Sequence, residues 1–209
     1  MEPAIIFFLN ENGSRQTFIE KEDKDRSIIE TTLFEMLNQR GYKVTEENSE
    51  FIMAKRSIKD TVMIFQEKTV GLTTDRVYKL LSKIKDYNCY HCIIIYKEGV
   101  TTYVKNLIKN ELFEKTKTVR DKTTYDMNDF DIEIFNENEF KFNITKHRLQ
   151  PKSIEKLSDD ETISFKNTYG IKIPVFSLSD PIVRFYNFKR GDIISVIRSD
   201  GTHTYRIVK

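Results

Sequence analysis

The sequence predicts an α/β domain followed by a smaller mixed α/β domain of α+β type that ends in a β-hairpin. Three observations carry this reading. Helical apolar faces alternate with β-branched runs up to about residue 120, the pattern of a partly parallel sheet with helices on its faces. The tail from Asp180 to Lys209 reads as a short helix, a basic turn and a hairpin. Charge is also divided along the chain. Residues 141–209 hold 13 Lys plus Arg against 7 Asp plus Glu, whereas the whole chain has 34 against 32, so the rest is net acidic. A basic module joined to an acidic one predicts two domains with different partners, 1–138 and 139–209.

With 209 residues, 39% hydrophobic and 32% charged, each domain can bury a core. No apolar run approaches the roughly 18 residues of a membrane span, and no membrane partner is expected. Ala4 to Leu9 reads as a first strand. It lacks the basic leader and small-residue cleavage site of a secretory signal, so secretion is not expected. Asn12-Gly13 makes a turn, with Gln16 to Ile19 as the returning strand. Residues 20–26 form a solvated charge run. Ser27 with Glu30 gives a capping box, and Ile28, Ile29, Leu33, Met36 and Leu37 mark one helical face that Gly41 ends. Strands follow at Tyr42 to Val44, Phe51 to Met53 and Thr61 to Phe65, before Val70-Gly71. Thr74-Asp75 opens a second helix carrying Val77, Leu80, Leu81 and Ile84. Cys89 to Tyr96 is nearly all apolar, as in a strand covered on both faces. Glu98-Gly99 turns, and Thr101 or Thr102 opens a third helix with Val104, Leu107, Ile108 and Leu112.

Residues 121–139 carry seven acids against Lys122 alone. Phe130, Ile132, Ile134 and Phe135 interrupt them nearly in alternation, which predicts a strand and a connector. The second domain is expected to open with a strand from Phe142 to Thr145. Ser158-Asp159-Asp160-Glu161 then starts an acid-capped helix along which Ile163, Phe165 and Tyr169 lie, and Gly170 stops it. Ile173-Pro174-Val175 is extended. Asp180 caps a helix with Pro181 in its first position. Ile182, Val183, Phe185 and Tyr186 give that helix an apolar face, and Asn187 takes the left-handed terminating position. Lys189, Arg190 and Gly191 turn the chain. Ile193 to Arg198 and Thr202 to Val208 flank Ser199-Asp200-Gly201, a strong hairpin signal.

Catalytic and metal chemistry find little support. Cys89-Tyr90-His91-Cys92 lacks a second ligand pair for zinc. It is also not at a helix start, where a redox thiol is activated, so Cys89 and Cys92 are expected to be structural, buried thiols. A metal-dependent nuclease needs carboxylates and a lysine converging on one phosphate. Asp60 and Glu67-Lys68 come nearest, but adjacent strand residues face opposite ways. No cofactor or metal is expected. Arg184, Lys189, Arg190, Arg198 and Arg206 offer a docking face for an acidic or phosphate-rich partner, against the alternative of an ordinary solvated surface.

The tail, with D-P, then aromatics, K-R-G-D, a strand ending in I-R and the final T-Y-R-I-V, resembles the C-terminus of the RNA polymerase subunit 5 family. That family is the shared jaw and assembly subunit of eukaryotic polymerases, and its C-terminal domain has an archaeal counterpart. Asn143-Ile144-Thr145-Lys146-His147, Leu149 and Pro151 resemble the family's entry to that domain, and Arg40-Gly41-Tyr42-Lys43-Val44-Thr45 resembles its R-G-Y-x-V-T. The resemblance implies an endonuclease-like jaw domain without nuclease activity and an assembly domain. It implies a non-catalytic polymerase subunit, catalysis residing in the large subunits. Docking on the largest subunit would use Asp180, Pro181, Arg184, Lys189, Arg190, Gly191, Arg198, Tyr205 and Arg206, with His147 in a structural polar contact. It also implies weak, sequence-independent contact of the jaw with downstream duplex DNA, for which Lys79, Lys83, Lys105 and Lys109 are candidates. The short jaw resembles versions encoded by large DNA viruses. Localisation is then expected in the nucleus for a cellular protein, or in a cytoplasmic viral factory and virion for a viral one. The alternatives are an endonuclease-like DNA-binding protein and a free-standing adaptor using the same tail.

Overall fold

The computed structural model describes residues 6–9, 15–18, 27–67, 71–108, 130–170 and 172–209. The chain divides into two compact units, Met1–Phe142 and Asn143–Lys209.

In the first unit, β1 (Ile6–Leu9) and β2 (Arg15–Phe18) pair antiparallel. The Asn12-Gly13 turn and the charge run at 20–26 lie outside the described residues. Helix α1 (Ile28–Gln39) starts on the expected reciprocal cap. The Ser27 hydroxyl accepts from the Glu30 N–H, and the Glu30 carboxylate accepts from the Ser27 N–H. Leu33, Met36 and Leu37 are buried, whereas Ile28 on the first turn is exposed.

The main sheet comprises β3 (Lys43–Glu47), β4 (Ile52–Lys55), β5 (Thr61–Glu67), β6 (His91–Tyr96) and β7 (Asp131–Asn136), in that order. The first three strands form an antiparallel meander, and β5, β6 and β7 run parallel. Helices α2 (Thr74–Asp86) and α3 (Thr102–Ile108) lie between the parallel strands in sequence. Burial on both faces explains the unbroken apolar runs Val62–Phe65 and Cys92–Ile95. One face packs Met53, Met63, Phe65, Cys92 and Ile94 against Val77, Leu80, Leu81 and Ile84 of α2. The alternate residues Val62, Ile64, Ile93 and Ile95 are buried as well. On that second face lies Glu133, the register partner of Ile93, and Arg40, just past α1, reaches it.

The strand expected from Cys89 begins instead at His91, because Asn88 takes a left-handed turn (φ 50°) and the Cys89 N–H still bonds back to Ile84 of α2. The expected acidic strand is β7. It is followed by a single 3-10 turn, Glu137–Phe140, whose buried Phe140 packs edge-on to Phe135. Val70, Leu112 and residues 121–129 lie outside the described residues.

At one end of the parallel strands two loops cross at Gly71 and Gly99. Both have positive φ, and a Cβ on Gly99 would lie 2.9 Å from the Gly71 Cα. Backbone cannot yield as a flexible side chain can. Gly99→Ala is therefore expected to cost about 1–3 kcal/mol, from a disfavoured φ and a backbone clash. Urea unfolding checks this, and Gly201→Ala, with nothing within 4 Å of its added Cβ, should show the φ penalty alone.

The second unit is a four-stranded sheet in the order β8 (Ser153–Lys156), β10 (Ile193–Ile197), β11 (His203–Val208), β9 (Val175–Phe176). β10 and β11 form the expected hairpin, β8 adds antiparallel to β10, and β9 adds parallel to β11. On one sheet face Ile154, Ile194, Val196 and Val208 pack with Val183 of α5 (Pro181–Tyr186). On the other, Tyr205 meets Phe165 of α4 (Asp159–Tyr169), their ring centroids 4.6 Å apart. Within α4 only Phe165 is buried, and Ile163 and Tyr169 of the expected apolar stripe are exposed.

A further expectation is corrected. Phe142 to Thr145 is not a strand. The Asn143 carboxamide accepts from both the Thr145 N–H and its hydroxyl, turning the chain into a 3-10 helix at Ile144–Lys146. A side chain that bonds its own backbone competes with the ladder.

Candidate functional site

The tail folds locally as its residues require. The Asp180 carboxylate accepts from the Ile182 N–H, Pro181 occupies the first turn, and Asn187 ends α5 at φ 55°, ψ 40°. This holds α5 against the hairpin and leaves a concave site in the second unit, a groove of about 420 Å³. Its apolar lining includes Ile154, Phe176, Ile182 and Val196, and its polar lining includes Asp180, Arg198 and Arg206. Leu149, in the turn after the 3-10 helix, also lines it and remains 78% exposed.

The charges of the groove are unevenly satisfied. Asp180 is engaged as a helix cap. Asp200 is held below the usual carboxylate range, first by hydrogen bonds from Thr202 and less by the charge of Arg198. The Arg206 guanidinium lies 4.7 Å from the centre of the Phe176 ring and has no carboxylate partner among the described residues. On the same sheet face, two residues before it, the buried Thr204 hydroxyl has no hydrogen-bond partner among the described residues. A half-buried arginine over an aromatic ring, beside an apolar floor, can receive a carboxylate-bearing partner with little competition from water.

The groove gathers Asp180, Pro181, Arg198 and Arg206. It does not gather the other sequence-derived interface residues. Tyr205 points to the opposite sheet face, against Phe165 and His203. Lys189, Arg190 and Gly191 lie before β10, whereas Arg198 follows its far end, some 20 Å away at about 3.3 Å per residue. Arg184 lies in the last turn of α5, outside the groove lining. His147 is exposed, and its Nδ1 accepts from the Leu149 N–H at 3.3 Å, shaping the turn that presents Leu149. Ile154 and Phe176 escaped the sequence reading. The first sits in S-I-E-K, a strand with one apolar residue, and the second in a two-residue strand.

In the first unit, Lys79 and Lys105 are exposed, Lys83 is paired with Glu50 and sits over the Phe51 ring, and Lys109 lies outside the described residues. Both cysteines are buried and free. Burial pushes both thiols up, Cys92 most. Among the described residues no cluster of three or more His, Cys, Asp or Glu could hold a metal ion. Asp60 and Glu67 stand at opposite ends of β5, about 20 Å apart by strand rise. Asp60 accepts from Tyr42 and Arg56, and Glu67 accepts from Arg76. They cannot converge on one phosphate. No helix among the described residues is long and apolar enough to cross a membrane.

A largely buried polar network, not anticipated from the sequence, joins four segments of this unit. Arg40 donates to both oxygens of Glu133 at 2.7 and 2.8 Å, and His91 Nε2 lies 2.8 Å from Glu133 Oε1. His91 Nδ1 lies 3.4 Å from the Tyr42 hydroxyl, which donates to Asp60 at 2.7 Å. Burial alone would raise the Glu133 pKa, but the charge of Arg40 and the hydrogen bonds from His91 and Arg40 bring it down to about 2. Burial and the Asp60 carboxylate push the Tyr42 phenol far up, so it stays a donor.

Fold and groove define a two-unit mixed α/β chain whose smaller unit carries an open apolar groove between arginines. Comparison with known proteins shows which family such a chain is similar to. The family description "RNA polymerase Rpb5, C-terminal domain" matches residues 142–208. A protein of Invertebrate iridescent virus 6, named as a DNA-directed RNA polymerase subunit, is 34% identical over 192 residues, covering 84% of this chain and 95% of its own length. A Dictyostelium discoideum protein named as a subunit of DNA-directed RNA polymerases I, II and III is 26% identical over 208 residues, covering 89% and 98%. An Arabidopsis thaliana protein named as subunit 5-like is 38% identical over 82 residues, covering 36% and 39%. The chain belongs to the RNA polymerase subunit 5 family.

Proposed function

We propose that this chain is a non-catalytic subunit of a multisubunit DNA-directed RNA polymerase. Its C-terminal unit is the assembly domain, docking on the largest subunit through the groove. Its N-terminal unit is the jaw, with an endonuclease-like fold, lining the downstream DNA cleft. Catalysis belongs to the large subunits. The chain resides wherever its polymerase does, in a nucleus or in a viral factory and virion.

The observation that carries this reading is the groove itself, which draws Asp180, Pro181, Arg198 and Arg206 from two distant tail segments onto one concave surface. An arginine stacked on an aromatic ring beside an apolar floor is the composition of an interface anchor. Contact of the jaw with DNA, through residues such as Lys79 and Lys105, would be sequence-independent and salt-sensitive.

The test is isolation of the tagged full-length chain from its native source. Two very large polymerase subunits should accompany it in stoichiometric amounts. Their absence from a folded, tagged chain would refute the assignment.

A further inference from the structure

His91 opens β6 with its side chain 14% exposed, and both of its ring nitrogens meet oxygens that can only accept. Nε2 lies 2.8 Å from Glu133 Oε1. Arg40 grips both oxygens of that carboxylate and holds it ionised, so it has no proton to offer. Nδ1 lies 3.4 Å from the Tyr42 hydroxyl. A phenol has one proton to donate, and Tyr42 gives it to Asp60 at 2.7 Å. Burial alone would raise the Asp60 pKa, but hydrogen bonds from Tyr42 and Arg56 bring it below its ordinary value. Asp60 is then a carboxylate with no proton to return. The ring is asked for two donors, and only the imidazolium form of histidine has two.

The charges around the ring suit a cation. On β7, Asp131 adds a carboxylate oxygen 3.9 Å from Nε2. Arg40, just past α1, is paired with Glu133, and Arg56 of the β4–β5 turn is paired with Asp60. Lys55 of β4 is exposed to water. The β5 register partner of His91 is Val62, which carries no charge. Burial keeps the Cys89 and Cys92 thiols protonated.

The two donated bonds are unequal. Nε2–H faces an anion, whereas Nδ1–H faces a neutral phenol at the longer distance, so Nδ1 holds its proton less tightly. A rising pH therefore sends the Nδ1 proton to solvent. The bared lone pair then faces the Tyr42 oxygen until the hydroxyl turns about its C–O bond and donates to Nδ1. One proton serves one acceptor, and Asp60 loses it. Through Asp60, Tyr42 holds the β4–β5 turn. The Asp60 N–H donates to the Ser57 carbonyl and hydroxyl, and the Asp60 carbonyl accepts from the Arg56 N–H. Within this turn Ile58 is 97% exposed.

We propose that His91 is a pH-operated latch on the β4–β5 turn. With both ring nitrogens protonated it leaves Tyr42 to hold Asp60. With Nδ1 bare it accepts the Tyr42 hydrogen bond and releases Asp60 and the turn. The latch is engaged on the acid side and lost as the pH rises, opposite in sign to the loss of the Glu133 contribution. Histidine changes charge between about pH 5 and 8, and Glu133 titrates at about 2, so the two effects separate. The latch lies wholly in the N-terminal unit and holds whether or not the chain docks through its groove.

The isotope-labelled full chain is titrated from about pH 5 to about pH 8.5, a span that covers histidine ionisation, while NMR follows ring nitrogens and backbone amides. His91 should lose its Nδ1 proton and keep Nε2–H. The amides of Ser57, Ile58, Lys59 and Asp60 should shift with the same midpoint. In Tyr42→Phe, which keeps the ring without the hydroxyl, His91 should still titrate while the turn amides stay still. His91→Gln has no proton to lose in this range and should silence the turn as well, which keeps the test decisive if Tyr42→Phe does not fold. A His91 ring that does not change charge, or that keeps its neutral proton on Nδ1, would overturn the proposal. So would turn amides that ignore His91 in wild type or still move in either variant. None of these readouts involves polymerase subunits, so failure here is distinguishable from failure of the docking reading.

Discussion

Glu133→Ala is expected to destabilise the N-terminal unit by about 3–5 kcal/mol, because it strands the buried Arg40 guanidinium and removes the partner of His91. The Arg40 and Glu133 side chains are 4% and 9% exposed, so water cannot replace the lost contacts without opening the unit. Glu133→Gln should cost less, since the amide oxygen still accepts one bond. The pH dependence has a definite sign. The folded Glu133 pKa lies at about 2, below its ordinary 4.5. Its contribution is therefore complete above about pH 4.5 and is lost as the pH falls through 2. Urea unfolding between pH 7 and pH 2.5 should show wild type losing stability steeply below pH 4.5, with Glu133→Gln flatter over the same window. Parallel curves would mean that the pair is not formed in solution.

The second large effect concerns the groove. Reversing both Arg198 and Arg206 to Glu should weaken association with the largest subunit by 100-fold or more, roughly 3 kcal/mol. On the proposed docking, two repulsive charges would then face a carboxylate-bearing partner. Arg190→Glu, at the far end of β10, is the internal control and should stay within about threefold of wild type. Because Arg206 lies over Phe176, the double variant should lose about 1 kcal/mol of stability, small enough for it to remain folded. Equal losses from Arg190→Glu and the double variant would indicate a general electrostatic surface rather than a groove.

What the sequence made legible was local. Ser27, Ser158 and Asp180 cap helices by accepting nearby backbone N–H groups on their side chains, and Asn187 ends one in a left-handed conformation, so their signals survive without tertiary context. The β10–β11 hairpin was legible for the same reason, its turn chemistry lying between two β-rich runs. Strand β8 was not, because Ser153–Lys156 becomes a strand only by pairing with Val196 and its neighbours. The strand expected at Phe142–Thr145 gave way to a side-chain bond from Asn143 that periodicity does not register. For the groove, the tail motif supplied Arg198 and Arg206, but alternation along β11 sends Tyr205 to the other face, and that becomes certain only once α4 and α5 are placed. The Arg40–Glu133–His91 network joins residues 93 and 42 positions apart. In sequence Glu133 is one of several acids, His91 belongs to the Cys89–Cys92 cluster and Arg40 to the R-G-Y motif, and nothing local links the three.

The most direct test of docking through the groove is site-specific crosslinking in the assembled polymerase. A photoreactive phenylalanine would replace either Leu149, 78% exposed on the groove wall, or Tyr169, 70% exposed on α4. Crosslinks to the largest subunit from position 149, with none from position 169, are the predicted result. Crosslinks from position 169 and none from position 149 would place the partner on α4 and contradict the account.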